Sequence, residues 1–408
     1  MRVLVLWRKA SDRLRNTIID HAFCFQRYDK ENEYFYFNIF NGRRAEDYEW
    51  IEQGLFDAVI FHYSALSLRT SEKHWGNFHE LMSRVWRDDP CVKVFLPQDD
   101  YSCTARIWEL ANEIKADKIY SVIREEDYSI IYPKDKIGNI DIETVLTGYI
   151  EESYLNTMSD KPHIDRKYDV VYRARKLPYE YGKLGQLKSE IADVFKEKLS
   201  AQRMRIDIAN TNDDGKAILG DAWIDFLASS RMTIGCLGGS GFMDADGMLK
   251  KSIERYILLH PNASFEETKT QLFPEKEDNL HGMLSPRIFE CAINHTCQIL
   301  VGDNYHGIIE ADKDYIMVKQ DFSNIDEVID RMKDIAYCEN IAENCYNKLV
   351  KSEQYTYRKF AQKVSDDIKD RIRIPHNEKY DSTYIEVKCR SNNCKADSEI
   401  QELLLRGN

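Results

Sequence analysis

Between Leu284 and Leu300 the chain reads LSPRIFECAINHTCQIL, and one carboxylate, Glu290, stands in an otherwise largely apolar run. Ser285 suits a helix N-cap and Pro286 the first helical position. Ile288, Phe289, Ala292 and Ile293 recur at helical spacing, so Glu290 falls on the shoulder of the apolar face. There it can pair with Arg287 one turn back, a weak surface interaction. It can equally accept hydrogen bonds from the hydroxyls of a ribose or a sugar.

A second group is cationic. Arg173, Arg175, Lys176 and Lys183 lie in and just after the apolar run YDVVYRA (168–174), ahead of a helical pattern. Arg and Lys side chains beside helix-terminal amides hold anions such as phosphates. Lys176 and Lys188 read as ordinary surface cations. A third group is GGSGFMDADGMLKK, where Gly238, Gly239, Ser240 and Gly241 follow the run RMTIGCL. Glycines there let backbone approach a ligand closely, although the spacing is neither GxGxxG nor a phosphate-binding Walker loop. Asp244 and Asp246 can hold a divalent metal on a diphosphate, but DADG is also good turn chemistry, and the turn is preferred.

Earlier in the chain, His62 follows the run FDAVIF, and Gln98, Asp99, Asp100 and Tyr101 follow CVKVFLP. His62 or Asp99 at a cleft edge could position or deprotonate a hydroxyl. Arg8 and Lys9 follow the first apolar run and could meet a phosphate or an anionic acceptor.

These residues need elements that bring them together. Apolar runs at 2–7, 33–40, 56–63, 91–97, 118–123 and 129–133 alternate with helical patterns near 11–27, 73–86 and 101–115. Residues 151–167 are polar and read as a linker. The alternation then restarts, with strands expected at 168–174, 204–210, 231–237, 297–301 and 314–319. A helix follows the last of these, 339–373 is helical, and the chain beyond 376 is polar apart from the helix-prone SEIQELLL. Strand–helix–strand spacing with continuous apolar strands implies parallel sheets covered on both faces. Two such units in series leave a cleft, and ligands bind outside the carboxyl ends of the strands. The cations, the glycine loop, His62 and Asp99 each follow an expected strand, and the Glu290 helix follows a loop at the same cleft edge.

The totals agree with this picture. A chain of 408 residues, 43% hydrophobic and 12% aromatic, is too long for one ordinary core. The formal net charge of −12 argues against a broad basic face for nucleic acid but allows a local phosphate pocket. The first apolar run is too short for a signal peptide or a membrane span. The ten cysteines include no CxxC, and Cys389 and Cys394 lack nearby histidines, so reduced thiols in a cytoplasmic protein are expected.

The stretch SPRIFECAINHTCQILVGDNYHGIIEADKDYIMVKQDFSNIDEVI resembles the donor-half signature of GT-B glycosyltransferases, in particular glycosyltransferase-like proteins of bacterial surface-polysaccharide clusters, and more loosely the spore-maturation group. The resemblance covers about 165–345 and is architectural over 1–150. It implies that Glu290 contacts a nucleotide ribose and that Arg173 or Arg175 with Lys183 contacts the diphosphate. Retaining members often carry a further glutamate where this chain has Gly282, and the GMLS backbone (282–285) could serve near the donor sugar instead.

The resulting expectation is an α/β protein with two Rossmann-like domains facing a cleft: 1–155 for the acceptor, 156–350 for the donor, 351–375 as a helix returning to the first domain, and 376–408 as a polar tail. The expected activity is transfer of a sugar from a nucleotide-sugar to a glycan or lipid-linked acceptor in surface polysaccharide synthesis. His62 and Asp99 are the catalytic candidates. Arg173, Arg175, Lys183, Gly238, Gly239, Ser240, Ser285, Arg287 and Glu290 are the donor-binding ones. No cofactor and no required metal are expected. The expected partners are the two substrates, no nucleic acid, and a peripheral contact with the inner face of a membrane. The rival readings are a nucleotide-sugar epimerase on the same fold and a non-catalytic binder of nucleotide sugars.

Overall fold

The computed structural model describes residues 1–9, 15–39, 45–157, 162–212, 217–275 and 280–390. The expected helix in SEIQELLL, the residue Cys394 and the first residues of the 11–27 helix lie outside these.

Eleven strands follow the apolar runs: β1 (Arg2–Trp7), β2 (Glu33–Asn38), β3 (Ala58–His62), β4 (Val92–Leu96), β5 (Lys118–Ser121), β6 (Asp141–Thr144), β7 (Tyr168–Ala174), β8 (Ile206–Asn210), β9 (Ser230–Gly235), β10 (Cys297–Val301) and β11 (Ile316–Val318). They form two sheets, ordered β2-β1-β3-β4-β5-β6 and β11-β10-β9-β7-β8. All pairs are parallel. The α/β class is therefore as expected. The strands of β1, β3, β4 and β10 are buried along their whole length, which is why they read as unbroken apolar runs.

Each sheet reverses direction once. In the first, β2 and β3 flank β1; in the second, β8 and β9 flank β7. The crevice for a ligand opens at these reversals, outside the strand ends. The residues after β1, β3, β7 and β9 are thus the ones that positioning favours.

Two differences from the sequence reading are instructive. The run SIIYP is not a strand: Tyr128–Ile131 is one helical turn, and the Trp108 indole donates to the Ile131 carbonyl at 3.0 Å. A run of four apolar residues does not distinguish strand from buried helix. The sixth strand is instead the polar DIET of β6, which escapes a hydrophobic search because it is an edge strand with exposed side chains. The polar tail is also partly built. Helix Ser382–Arg390 lies against β2, burying Ile385 and Cys389 in the first core.

Helix Tyr357–Arg371 packs on the first sheet although it follows the second in sequence. Tyr357, Phe360, Ala361, Val364 and Ile368 join the core of β1–β5. Phe360, Val364 and Ile368 each contribute roughly 1.5–3 kcal/mol when buried. The chain crosses back where Ile150 N–H donates to the Tyr355 carbonyl at 2.8 Å and Tyr357 N–H donates to the Ile150 carbonyl at 3.0 Å. Further contacts join the sheets at the cleft. Cys103 N–H donates to the Asp244 carbonyl and Asp244 N–H to Tyr101, both at 2.8 Å. His281 meets the buried Asp127 carboxylate at 2.8 Å.

Candidate functional site

The second half contributes most of the cleft's chemistry. Helix Arg287–Ile293 begins here, with Pro286 as its N-cap and the Ser285 hydroxyl accepting from Arg287 N–H at 3.4 Å. The Arg287 guanidinium donates to the Arg173 carbonyl at the end of β7, at 2.5 Å. It also lies over the rings of Tyr172 and Trp223, at 5.0 and 5.2 Å. Its Nε is buried without a partner among the described residues. Glu290, one turn on, accepts from the Trp223 indole at 2.7 Å through Oε2. Its Oε1 makes no hydrogen bond among the described residues. Burial raises the Glu290 pKa, opposed by the Trp223 bond and by Arg287 and Arg15.

Lys188 stands opposite. It lies in the second turn of helix Gly182–Ser200, the crossover from β7 to β8. Its ammonium is 4.0 Å from where a Cβ on Gly238 would sit, and it has no hydrogen-bond or ion-pair partner among the described residues. Burial lowers its pKa. Cys236 and Asp99 act against that, and Arg287 and Arg15 with it. Arg15, the N-cap residue of helix Asn16–Tyr28, reaches the same place from the first half. It lies open to the cleft mouth yet hemmed in by protein. Its pKa is lowered first by burial, then by the positive charges of Arg175 and Arg287, with Glu290 and Tyr63 opposing. Arg15, Arg175, Lys188 and Arg287 therefore share one electrostatic neighbourhood, set around Glu290 and faced by Asp99.

Backbone completes this wall. Gly238 and Met283 exchange hydrogen bonds at 2.8 and 3.0 Å, clamping the loop after β9 to the segment before Arg287. Gly239 has φ +98°, and a Cβ there would meet Met283 at 2.8 Å. At Gly282, where the resembling family often has its second glutamate, a Cβ would lie 2.5 Å from that of Leu237. The clamp leaves no room for a side chain.

Across the cleft, Asp99 is exposed in a left-handed conformation (φ 55°) after β4. One carboxylate oxygen accepts from Tyr101 Oη at 2.5 Å. The loop is fixed from beneath by Arg69, 2% exposed, which donates to the carbonyls of Gln98, Asp99 and Ser102 at 2.6, 2.7 and 2.9 Å. That anchoring is what sustains an unfavourable backbone conformation at a site. Tyr63 and Tyr181 lie near enough for the Asp99 charge to raise their pKa values, although burial is the larger cause.

The expected site residues fall into three groups. Glu290, Arg287, Arg175, Ser285, Gly238, Gly239 and Asp99 are brought to the cleft. Arg173 points elsewhere: its guanidinium pairs with Asp207 at 2.7 Å and lies 4.8 Å over Phe226. Lys183 is exposed about 140° around its helix from Lys188, at about 100° per residue, so the two cannot face the same cleft. Ser240 is buried and closes its own turn, bonding Phe242 N–H and carbonyl at 3.0 and 2.8 Å. His62 is wholly buried, with Nε2 3.0 Å from His21 Nδ1 and Nδ1 engaged by Ser64. Neither nitrogen is left for an acceptor. The Asp244 carboxylate accepts from Leu249 and Lys250 N–H, both at 3.0 Å, and Asp246 from Met248. The DxD pair thus caps helix Met248–Leu259. Lys188 and Arg15 are the residues that sequence reasoning missed. The signal for Lys188 was its place on the first crossover helix of the half, and its reading as a surface cation is corrected here.

Among the described residues no helix is long and apolar enough to cross a membrane. No protein-family model matches the chain, and no curated protein does. Solved structures do. An alpha-glucosyltransferase bound to UDP and a 13-mer DNA containing an HMU base matches with TM-score 0.57 at 12% identity, over 90% of this chain and 98% of that one. The structure of an alpha-glucosyltransferase with UDP-glucose and DNA containing an abasic site matches with TM-score 0.54 at 10% identity, over 90% and 99%. An alpha-glucosyltransferase (AGT) in complex with UDP matches with TM-score 0.51 at 12% identity, over 90% and 99%. The expectation of no nucleic-acid partner is overturned, because proteins of this architecture are seen with DNA in place. Net charge describes the whole surface of a protein, whereas binding depends on a local face. At these identities what is shared is architecture: the chain has the GT-B fold, two Rossmann-like sheets facing a central cleft.

Proposed function

We propose that the protein is a glycosyltransferase that takes a sugar from a nucleoside-diphosphate sugar. The observation that carries this is the cation cluster at the β7/β9 reversal. Arg15, Arg175, Lys188 and Arg287 converge around one carboxylate, and two of them, Arg15 and Lys188, have no ion-pair partner among the described residues. Like charges so placed call for a compact polyanion, and a diphosphate supplies it. Glu290 Oε1 would accept the ribose hydroxyls. Charge building on the departing diphosphate would be stabilised by the same cations, where electrostatic catalysis acts most strongly. They supply the positive charge that a metal otherwise would, so no divalent metal is required on this reading.

Asp99, held rigidly opposite by Arg69 and oriented by Tyr101, would position or deprotonate the acceptor hydroxyl. Residues 1–155 would serve the acceptor, 156–350 the donor, and 351–375 would tie the two together. We read the acceptor as a glycan or lipid-linked sugar in surface polysaccharide synthesis. The reaction would be cytoplasmic, in keeping with nine buried free cysteines among the described residues. The matched structures that hold DNA make hydroxymethylated duplex DNA a necessary member of any acceptor panel.

Thermal shift against UDP, GDP, ADP and CMP, with and without Mg²⁺ or Mn²⁺, tests the donor reading. A hundredfold excess over Kd should add about 2.7 kcal/mol of stability. Stabilisation by none of them refutes it; stabilisation only with metal refutes the metal-free part. Sugar transfer from the best donor to glycan, lipid-linked and DNA acceptors then distinguishes transfer from epimerisation and from binding alone.

A further inference from the structure

Asp99 is exposed on the first half, and a side chain so placed turns freely unless something holds its carboxylate. Arg69 fixes the backbone beneath it through carbonyls. The carboxylate itself is held by the Tyr101 hydroxyl, at 2.5 Å. Tyr101, 4% exposed, is in turn seated on the second half. Its ring lies 3.6 Å from where a Cβ on Gly239 would sit, and it meets the Tyr181 ring edge-on with centroids 5.9 Å apart. The Tyr181 carbonyl accepts from Gly241 N–H at 3.0 Å, which ties that ring to the loop after β9. The Tyr101 carbonyl accepts from Asp244 N–H at 2.8 Å. Two further bonds run along the same seam, from Cys103 N–H to the Asp244 carbonyl at 2.8 Å and from Ala105 N–H to the Ala245 carbonyl at 3.0 Å. The Asp244 carboxylate is fixed at the head of helix Met248–Leu259, so the seam has a rigid backing.

We infer that Tyr101 is a positioning residue through which the second half sets where the Asp99 carboxylate stands. This rests on the reading of Asp99 given above and adds a residue and a consequence to it. A phenol O–H donating to a carboxylate makes a charge-assisted bond, short and directional. The other Asp99 oxygen makes no hydrogen bond among the described residues and is left for the acceptor hydroxyl. Because the ring is seated against the loop after β9, the separation of the carboxylate from the donor wall is built in before the acceptor arrives. Preorganisation of this kind acts on the reacting geometry, where an error of about 1 Å can cost about a hundredfold in rate. Tyr101 does not itself meet the reacting atoms, so its whole effect on turnover runs through Asp99. The plain alternative is a buried phenol that has found an acceptor and does nothing more.

The test uses the full chain with UDP-glucose, GDP-mannose and ADP-glucose as donor probes, water as the basal acceptor, and the glycan, lipid-linked and DNA panel as the other acceptors. Tyr101→Phe keeps the ring and removes only the hydroxyl. It should lower kcat about tenfold or more, while KM for the donor and the melting temperature stay at their wild-type values. In the Asp99→Asn background the same change should add no further loss, since both act at one point. Amide exchange at Cys103, Ala105 and Asp244 should be slow without any nucleotide, in the wild type and in Tyr101→Phe alike. Unchanged kcat in Tyr101→Phe, with Asp99→Asn impaired, overturns the inference and leaves Asp99 its role. Losses that multiply in the double variant, a raised donor KM or a lowered melting temperature overturn it too, since Tyr101 would then act on the fold. Fast exchange at those amides in the free protein does the same, because the seam would not be standing. If Asp99→Asn turns over like the wild type, the reading of Asp99 fails and this inference with it; if the wild type turns over none of the donors, the transferase reading fails first.

Discussion

Lys188→Met is the most direct probe of the donor site, because its effects on stability and on binding should have opposite signs. The ammonium has no described partner, and its nearest charges include Arg287 and Arg15 as well as Asp99. Methionine keeps the apolar stem against the helix and removes only the charge. The free protein should unfold at the same temperature or slightly higher, since a cation leaves a like-charged cluster. Binding should weaken by the value of one charge-assisted hydrogen bond, roughly 1.5–3 kcal/mol, which is about 10- to 150-fold in Kd. Titration calorimetry and thermal unfolding on one preparation give both numbers. Arg173→Ala supplies the contrast: it breaks the 2.7 Å pair with Asp207 and the stacking on Phe226, and should cost about 1 kcal/mol of stability before any effect on binding. If Lys188→Met binds diphosphate normally while Lys183→Ala does not, the anion lies at the exposed start of the helix and the cleft geometry argued here is wrong.

Glu290→Gln keeps an acceptor for the Trp223 indole but weakens bonds from ribose hydroxyls, so donor affinity should fall about tenfold or more with little change in melting temperature; equal affinity would return Glu290 to a structural role. Asp20 is buried beside Glu151, and burial first, then the Glu151 charge, against Arg27, push its pKa up to about 7. A raised folded-state pKa means stability that is fully present below the unfolded value and is lost as pH rises through about 7, by up to about 1.4 kcal/mol per pH unit. Asp20→Asn should flatten that slope in urea titrations between pH 4 and 7 and be more stable than the wild type at pH 8; an unchanged slope would assign the pH dependence elsewhere. Gly282→Ala places a Cβ 2.5 Å from Leu237, so it should cost about 1–3 kcal/mol and loosen the Gly238–Met283 clamp, seen as faster amide exchange at those two residues. Wild-type exchange in that variant would show that the loop accommodates a side chain freely.

How far the site could be read from the sequence depended on what each inference needed. Parallel strands buried on both faces write themselves as unbroken apolar runs, so β1, β3, β4 and β10 were legible, whereas the polar edge strand β6 was not. Glu290 was legible because its helix announces itself with Ser-Pro and a strict apolar face, against which one carboxylate stands out. The cations were harder, since position after a strand says that a residue is near the crevice but not which way it points. Arg173 is still inside β7, paired across the sheet to the level of β8, and its side chain follows the strand's alternation onto Phe226. Lys183 and Lys188 share a helix and differ by well over a quarter turn, so only one can face the strand ends. The same rule separates the two catalytic candidates. His62 is the last residue of β3, still hydrogen-bonded in register with Leu96, and its ring goes into the core against His21. Asp99 lies three residues beyond the end of β4, where the backbone has turned left-handed and no ladder dictates its direction. A strand-end residue becomes a candidate for chemistry only once the chain has left the pleat. Arg15 meets that condition as well, but nothing local marks it: its partners stand at positions 175, 188 and 287, and only the facing of two sheets brings them within reach of one anion.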